Sequence, residues 1–141
     1  MTNPFNQPAA LRVLITGAAG NIGRVLRAQL KGRYALLRLT DVVPQEAAGP
    51  GEEVATADIR DPAALERSMQ GIDCVIHLAG VPEEDAWEKV LPLNIEGCYN
   101  VFEAARSQGV RRMVGAGEHH AAHALAARRL EHVVAALDVE R

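Results

Sequence analysis

The segment Thr16-Gly17-Ala18-Ala19-Gly20-Asn21-Ile22-Gly23 constrains the fold more than any other part of this chain. It follows an aliphatic, β-branched run at residues 11–16 and precedes a stretch in which Ile22, Val25, Leu26 and Leu30 recur at helical spacing. A strand that passes through three closely spaced glycines into a helix has the pattern of a dinucleotide-binding turn. The first glycine permits a tight turn, the second lets a pyrophosphate approach the backbone, and the third lets helix and strand pack closely. The helix N-terminus then offers unpaired N–H groups and the positive end of its dipole to the phosphates.

The rest of the chain supports a parallel sheet with crossover helices, because short β-rich runs alternate with longer helical ones. Residues 34–39 read as a second strand closed by Thr40-Asp41, residues 42–51 as a Pro/Gly/Ala loop, and residues 53–57 as a short third strand. Asp61-Pro62 opens a helix in the favoured order of cap then proline, with Leu65 and Met69 inward and Gly71 as its stop. Residues 74–78 make a nearly all-apolar fourth strand, as expected where helices cover both faces. A long helix is expected over about 86–107, interrupted at Leu91-Pro92 and carrying Val90, Leu93, Val101, Phe102 and Ala105 inward; residues 110–114 lead into a fifth strand. Asp41 closes the second strand about 20 residues beyond the turn, where it can accept hydrogen bonds from the ribose hydroxyls of an adenosine. A 2′-phosphate there would meet like-charge repulsion, so Asp41 favours NAD over NADP.

Composition removes other classes. The 48% apolar fraction argues against disorder, and 18 acids against 15 Lys and Arg argue against an ordinary nucleic-acid binder. No apolar run approaches the roughly 18 residues of a membrane span. The first eight residues lack both the basic and the apolar regions of a signal peptide, so the cytoplasm is the expected compartment. Cys74 and Cys98 are too far apart for a Cys-x-x-Cys motif and are expected to be reduced, buried and small hydrophobes.

Jointly, several motifs resemble the extended short-chain dehydrogenase/reductases of the NAD-dependent epimerase/dehydratase group. They are the glycine turn, Asp41, Asp58-Ile59-Arg60-Asp61, His77-Leu78-Ala79-Gly80, and Asn94-Ile95-x-Gly97-x-x-Asn100-Val101-x-Glu103-Ala104-Ala105. The segment 87–95 is most similar to the uronate dehydrogenase branch. The resemblance spans about residues 11–114 and implies a truncated, doubly wound Rossmann-type α/β domain with strand order 3-2-1-4-5 and NAD as cofactor. It implies that Gly17, Ala19, Gly20, Asn21, Ile22 and Gly23 cradle the pyrophosphate beside Asp41. Asp58 receives the adenine amino group with the Ile59 backbone beside it. Leu78, Ala79 and Gly80 line the ribose and pyrophosphate channel, and Asn94 holds helix geometry near the nicotinamide end. His77, beside apolar neighbours, is read as a core or strand-end residue. A homodimer through the long helix is also implied.

The chain departs from that family after the fifth strand. Hydride transfer there relies on a Tyr-x-x-x-Lys pair and a Ser or Thr, whereas the only tyrosines here, Tyr34 and Tyr99, are followed four places on by Arg38 and Glu103. The expected organisation is an arm at 1–10, an NAD-binding domain at 11–117 and a divergent Ala/His/Arg-rich tail at 118–141, helical over about 119–138. That tail has the composition a shifted reading frame gives in a high-GC gene. His119 and His123 stand at i and i+4 in it, but no fourth ligand is evident and metal binding is not expected. No catalytic residue is assigned. The expected role is cofactor binding for a sugar-acid oxidoreductase, inactive alone; the alternatives are a non-catalytic NAD-responsive module, or half of an enzyme completed by another chain.

Overall fold

Parallel pairing organises the computed structural model, which describes residues 10–81 and 83–115. Five strands, β1 (Arg12–Thr16), β2 (Leu36–Asp41), β3 (Glu52–Thr56), β4 (Cys74–His77) and β5 (Arg112–Gly115), form one sheet in the order β3-β2-β1-β4-β5. This is the doubly wound α/β order expected from the sequence. In register, Thr16 at the end of β1 stands between Thr40 of β2 and His77 of β4.

The central strand explains the arrangement. Val13, Leu14 and Ile15 are wholly buried, so β1 needs apolar cover on both faces. On one face Val13 and Ile15 pack with Leu26 and Leu30 of α1 (Asn21–Leu30). On the other, Leu14 packs with Leu65 and Met69 of α2 (Pro62–Met69) and with Val101, Ala104 and Ala105 of α4 (Gly97–Ser107). Each of these valine, leucine, isoleucine and methionine side chains contributes about 1.5–3 kcal/mol on burial. Asp61 caps α2 as expected, its Oδ1 accepting from the N–H groups of Ala63 and Ala64 at 3.1 and 3.2 Å.

The edge strand β3 carries Glu52 and Glu53, and each is held by an arginine. Arg27 of α1 pairs with Glu52 at 2.8 Å. Arg38 of β2 pairs with Glu53 at 2.7 Å and donates from Nη1 to the carbonyls of Ser68 and Gln70 at the end of α2.

The interruption expected at Leu91-Pro92 is present: α3 (Trp87–Val90) passes into a π-helical segment (Leu91–Glu96) before α4. Pro92 has no N–H for an α-helical bond, and the ladder widens until the Gly97 N–H reaches back five residues to the Pro92 carbonyl. Other expectations need correction. Phe102 is 56% exposed rather than inward, because Gly97, Val101, Ala104 and Ala105 already form the sheet-facing side of α4; Val90 is half-buried. Val25 is 43% exposed, displaced from the inner face of α1 by Gly23, Leu26 and Leu30. Cys74 is buried, but Cys98 is only half-buried; both are free thiols. The tail at 118–141, with His119 and His123, lies outside the described residues.

Candidate functional site

The chain runs outward from β1 to β2 and β3, then returns to β4 on the opposite side of β1. The loops after β1 and β4 meet at the carboxyl ends of these strands and lead to helices on opposite faces of the sheet, the switch point where α/β sheets bind ligands in a crevice.

The glycine loop forms one wall. Gly17 has φ +70°, and a Cβ there would lie 2.6 Å from the Ala79 nitrogen, so this residue is dictated both by conformation and by the close approach of the β4 loop. At Gly23 a Cβ would stand 2.6 Å from Ala18 Cα, which leaves no room for a side chain where helix meets loop. Gly20 differs. A Cβ there would meet only the Gly17 carbonyl, at 3.3 Å, so the protein itself does not fill the space outside it. Gly20 is also the N-cap of α1; no side chain caps that helix and no acid occupies its first turn. The N–H groups around Asn21, Ile22 and Gly23 thus keep the positive dipole end uncompensated.

Asp41 is built into this wall. Its Oδ2 accepts the Ala19 N–H at 2.9 Å, while Oδ1 accepts the Val42 N–H at 2.7 Å. The Ala18 N–H donates to the Thr40 carbonyl at 3.1 Å, so both central loop residues are fastened to the end of β2.

The β4 loop forms the opposite wall. The Leu78 N–H donates to the Thr16 carbonyl at 3.1 Å, and Thr16 Oγ1 lies 3.2 and 3.4 Å from the Leu78 and Ala79 nitrogens. His77 Nδ1 lies 2.7 Å from that same oxygen, and burial holds the imidazole pKa below its usual value. Asn94, in the π-helical segment, grips the next residues at both polar backbone atoms. Its Oδ1 accepts the Val81 N–H at 2.7 Å and its Nδ2 donates to the Val81 carbonyl at 3.1 Å. Gly80, at φ +148°, leaves only 2.7 Å between a Cβ position and Asn94 Oδ1.

Asp58 and Ile59 stand apart, in the loop after β3, and no hydrogen bond among the described residues joins them to the glycine loop. Arg60 occupies both Asp58 carboxylate oxygens through Nε and Nη2, at 2.6–3.1 Å, and adds its backbone N–H at 2.9 Å. The Arg60 hydrogen bonds hold the Asp58 carboxyl below the usual carboxylate range. Ile59 is buried, and its carbonyl accepts from Asn100 Nδ2 at 3.1 Å. Thr16, Arg60, Gly97 and Asn100 lie within the sequence motifs without a task that their residue types announce. An asparagine inside an amphipathic helix is the one available signal.

The NAD dependent epimerase/dehydratase family model matches residues 13–130. The chain belongs to that family. As a member of the epimerase/dehydratase family it is 48% identical to the uronate dehydrogenase of Pseudomonas putida over 120 residues, which are 84% of this chain and 43% of that protein. It is 39% identical over 110 residues to the L-arabinose 1-dehydrogenase (NAD(P)(+)) of Haloferax volcanii, covering 77% of this chain and 41% of the relative. Among solved structures, a mutant uronate dehydrogenase from Agrobacterium tumefaciens complexed with NAD superposes with a TM-score of 0.75 at 43% identity, over 78% of this chain and 42% of that one. The chain thus spans less than half the length of these relatives. The family match runs past Val114 into the segment read from sequence as divergent.

Proposed function

We propose that this family member binds NAD in the crevice between the glycine loop and the β4 loop, serving a sugar-acid oxidoreductase similar to uronate dehydrogenase. The observation that carries the reading is the Asp41–Ala19 hydrogen bond, 2.9 Å long, which ties a ribose-reading carboxylate to a phosphate-cradling loop. The residues fit the group. Gly17, Ala19, Gly20, Asn21, Ile22 and Gly23 hold the pyrophosphate at the uncapped start of α1, where only the Gly17 carbonyl comes within 4 Å of a Cβ position at Gly20. Asp41 accepts from the adenosine ribose hydroxyls and disfavours a 2′-phosphate. Asp58, shared with Arg60, accepts the adenine amino group beside the Ile59 backbone; Leu78, Ala79 and Gly80 line the middle of the channel, and Asn94 holds its nicotinamide end.

When bound, NAD supplies a hydride acceptor. The 141 residues contain no Tyr-x-x-x-Lys, so we assign them cofactor binding and leave proton transfer to residues outside this sequence. The relatives at 41–48% identity that carry the name uronate dehydrogenase support a sugar-acid substrate for the completed enzyme. Among the described residues no helix is long and apolar enough to cross a membrane, in keeping with a cytoplasmic site of action. The exposed Ile95, Tyr99 and Phe102 follow one another at helical spacing along the π segment and α4, a surface suited to a second copy of the chain.

Calorimetric titration of the chain with NAD and NADP tests the proposal. Binding of NAD in preference to NADP, lost in Asp41→Ala, is the expected result. A folded chain that takes up neither nucleotide overturns it.

A further inference from the structure

The π segment and α4 touch two loops at the carboxyl end of the sheet, the one after β4 and the one after β3. Asn94 grips Val81 after β4, and Asn100, six residues on, donates to the Ile59 carbonyl after β3. Six residues of α-helix place two side chains roughly 120° apart around the axis. The wider π turn between them rotates them further, so that one helix reaches two different loops. The second contact is close-fitting: a Cβ at Gly97 would lie 2.6 Å from Ile59 Cδ1. Ile59 is therefore held at its side chain against Gly97 and at its carbonyl by Asn100, half a turn or more along the same helix.

Ile59 lies between Asp58 and Arg60, the pair whose carboxylate faces outward from this loop. A carboxylate recognises an amino group only at hydrogen-bond range and direction. The Asp58 side chain bonds to Arg60, and its carbonyl accepts the Asp61 N–H at 3.0 Å, both within the same short turn; the loop is placed on the domain by the Ala57 N–H, which donates to the Asp41 carbonyl at 3.1 Å, and beyond that point by Ile59. Arg60 orients the carboxylate within the loop but does not fix the loop to the domain.

We propose that Asn100 is a positioning residue for base recognition: by fixing the Ile59 carbonyl it sets where the Asp58 carboxylate meets a purine, so that a 6-amino purine is accepted and a 6-oxo purine refused. The inference rests on the NAD-binding reading above. It assigns to α4 a share in choosing the base, in addition to its packing against the sheet.

The test compares the full chain with Asn100→Leu and Asn100→His, the second retaining a ring N–H donor. Two readouts are used: amide hydrogen exchange without nucleotide, and dissociation constants for NAD and for nicotinamide hypoxanthine dinucleotide, whose base carries oxygen in place of the amino group. In Asn100→Leu, exchange is expected to quicken at Arg60 and Asp61 but not at Val81. The preference for NAD over the hypoxanthine dinucleotide should shrink about five- to tenfold, the usual worth of one hydrogen bond, with partial recovery in Asn100→His. A general loss of stability would weaken both nucleotides equally and leave their ratio intact, which overturns the positioning role. Unchanged exchange at Arg60 and Asp61 overturns it before any nucleotide is added. If the unaltered chain binds neither dinucleotide, the NAD reading fails and this inference falls with it; if it binds NAD without preferring it to the hypoxanthine analogue, only the inference fails.

Discussion

Thr16 Oγ1 and His77 Nδ1 lie 2.7 Å apart where β1 and β4 end side by side, and the bond between them has a direction. The Leu78 N–H is shared between the Thr16 carbonyl and Oγ1, and the Ala79 N–H also points at Oγ1, so we assign the hydroxyl proton to Nδ1. With that assignment a neutral His77 carries its hydrogen on Nε2.

A pH dependence follows. The folded pKa of His77 is depressed by burial, so the folded state binds this proton less readily than the unfolded chain, whose imidazole titrates near 6.5. The contribution is fully present above that value and is lost as pH falls through the window below it, toward the folded pKa. Urea unfolding from pH 8 to pH 5 should show stability falling below about pH 6.5, with a gentler fall in His77→Gln. Identical pH profiles for the two proteins would refute the assignment.

The glycines of the loop should separate folding from binding. Gly17→Ala combines a left-handed backbone with a Cβ 2.6–2.8 Å from the Leu78–Ala79 backbone and should lower stability by at least about 1–3 kcal/mol. Gly20 has φ −70°, which any residue adopts, so Gly20→Ala should cost no more than about 1 kcal/mol, from the poorer N-cap and the 3.3 Å approach of the Gly17 carbonyl, while weakening NAD binding at least tenfold. Denaturant titration and calorimetry on the two variants check both halves; a Gly20→Ala chain that binds NAD normally would contradict the role given to that loop.

Arg38 links three elements from a nearly buried position, its side chain 13% exposed. Replacement by Leu retains much of the volume and strands the Ser68 and Gln70 carbonyls as well as Glu53. A loss of about 1–3 kcal/mol in unfolding free energy is expected. The far ends of α2 should be the first amides to gain exchange.

The two thiols should differ in reactivity. Burial pushes the Cys74 thiol pKa up to about 12, whereas Cys98 is half-buried on α4. Thiolate is the reactive form, so a thiol reagent at pH 8 should modify Cys98 in the folded chain and Cys74 only as the domain opens. A Cys98→Ser chain that reacts at the rate of the unaltered protein would be inconsistent with this.

Much of the architecture was legible because it rests on local, repetitive signals. The buried run at Val13, Leu14 and Ile15, the Asp61-Pro62 cap and the glycine turn each state their conformation within a few residues. Phe102 and Val25 were misplaced for a common reason: helical spacing permits several apolar stripes, and small residues such as Gly97, Ala104 and Gly23 define the buried side without looking hydrophobic. The π turn was foreshadowed by Pro92, although a proline signals an interruption without saying which ladder replaces it. The tasks of Thr16 and Asn100 were not legible, because each depends on a partner from a distant loop; that of Arg60 depends on how the short turn at Asp58 brings the two side chains together.

Gly17 owes its shape to Ala79, and Thr16 takes its partners from Leu78 and Ala79, more than sixty positions later in the chain. During synthesis the chain emerges with β1, α1, β2 and β3 in hand while the far edge of β1 still waits for Cys74–His77. The glycine loop thus leaves the ribosome ahead of the β4 residues that complete it. A nascent chain stopped before residue 79 would hold a glycine loop with one wall missing.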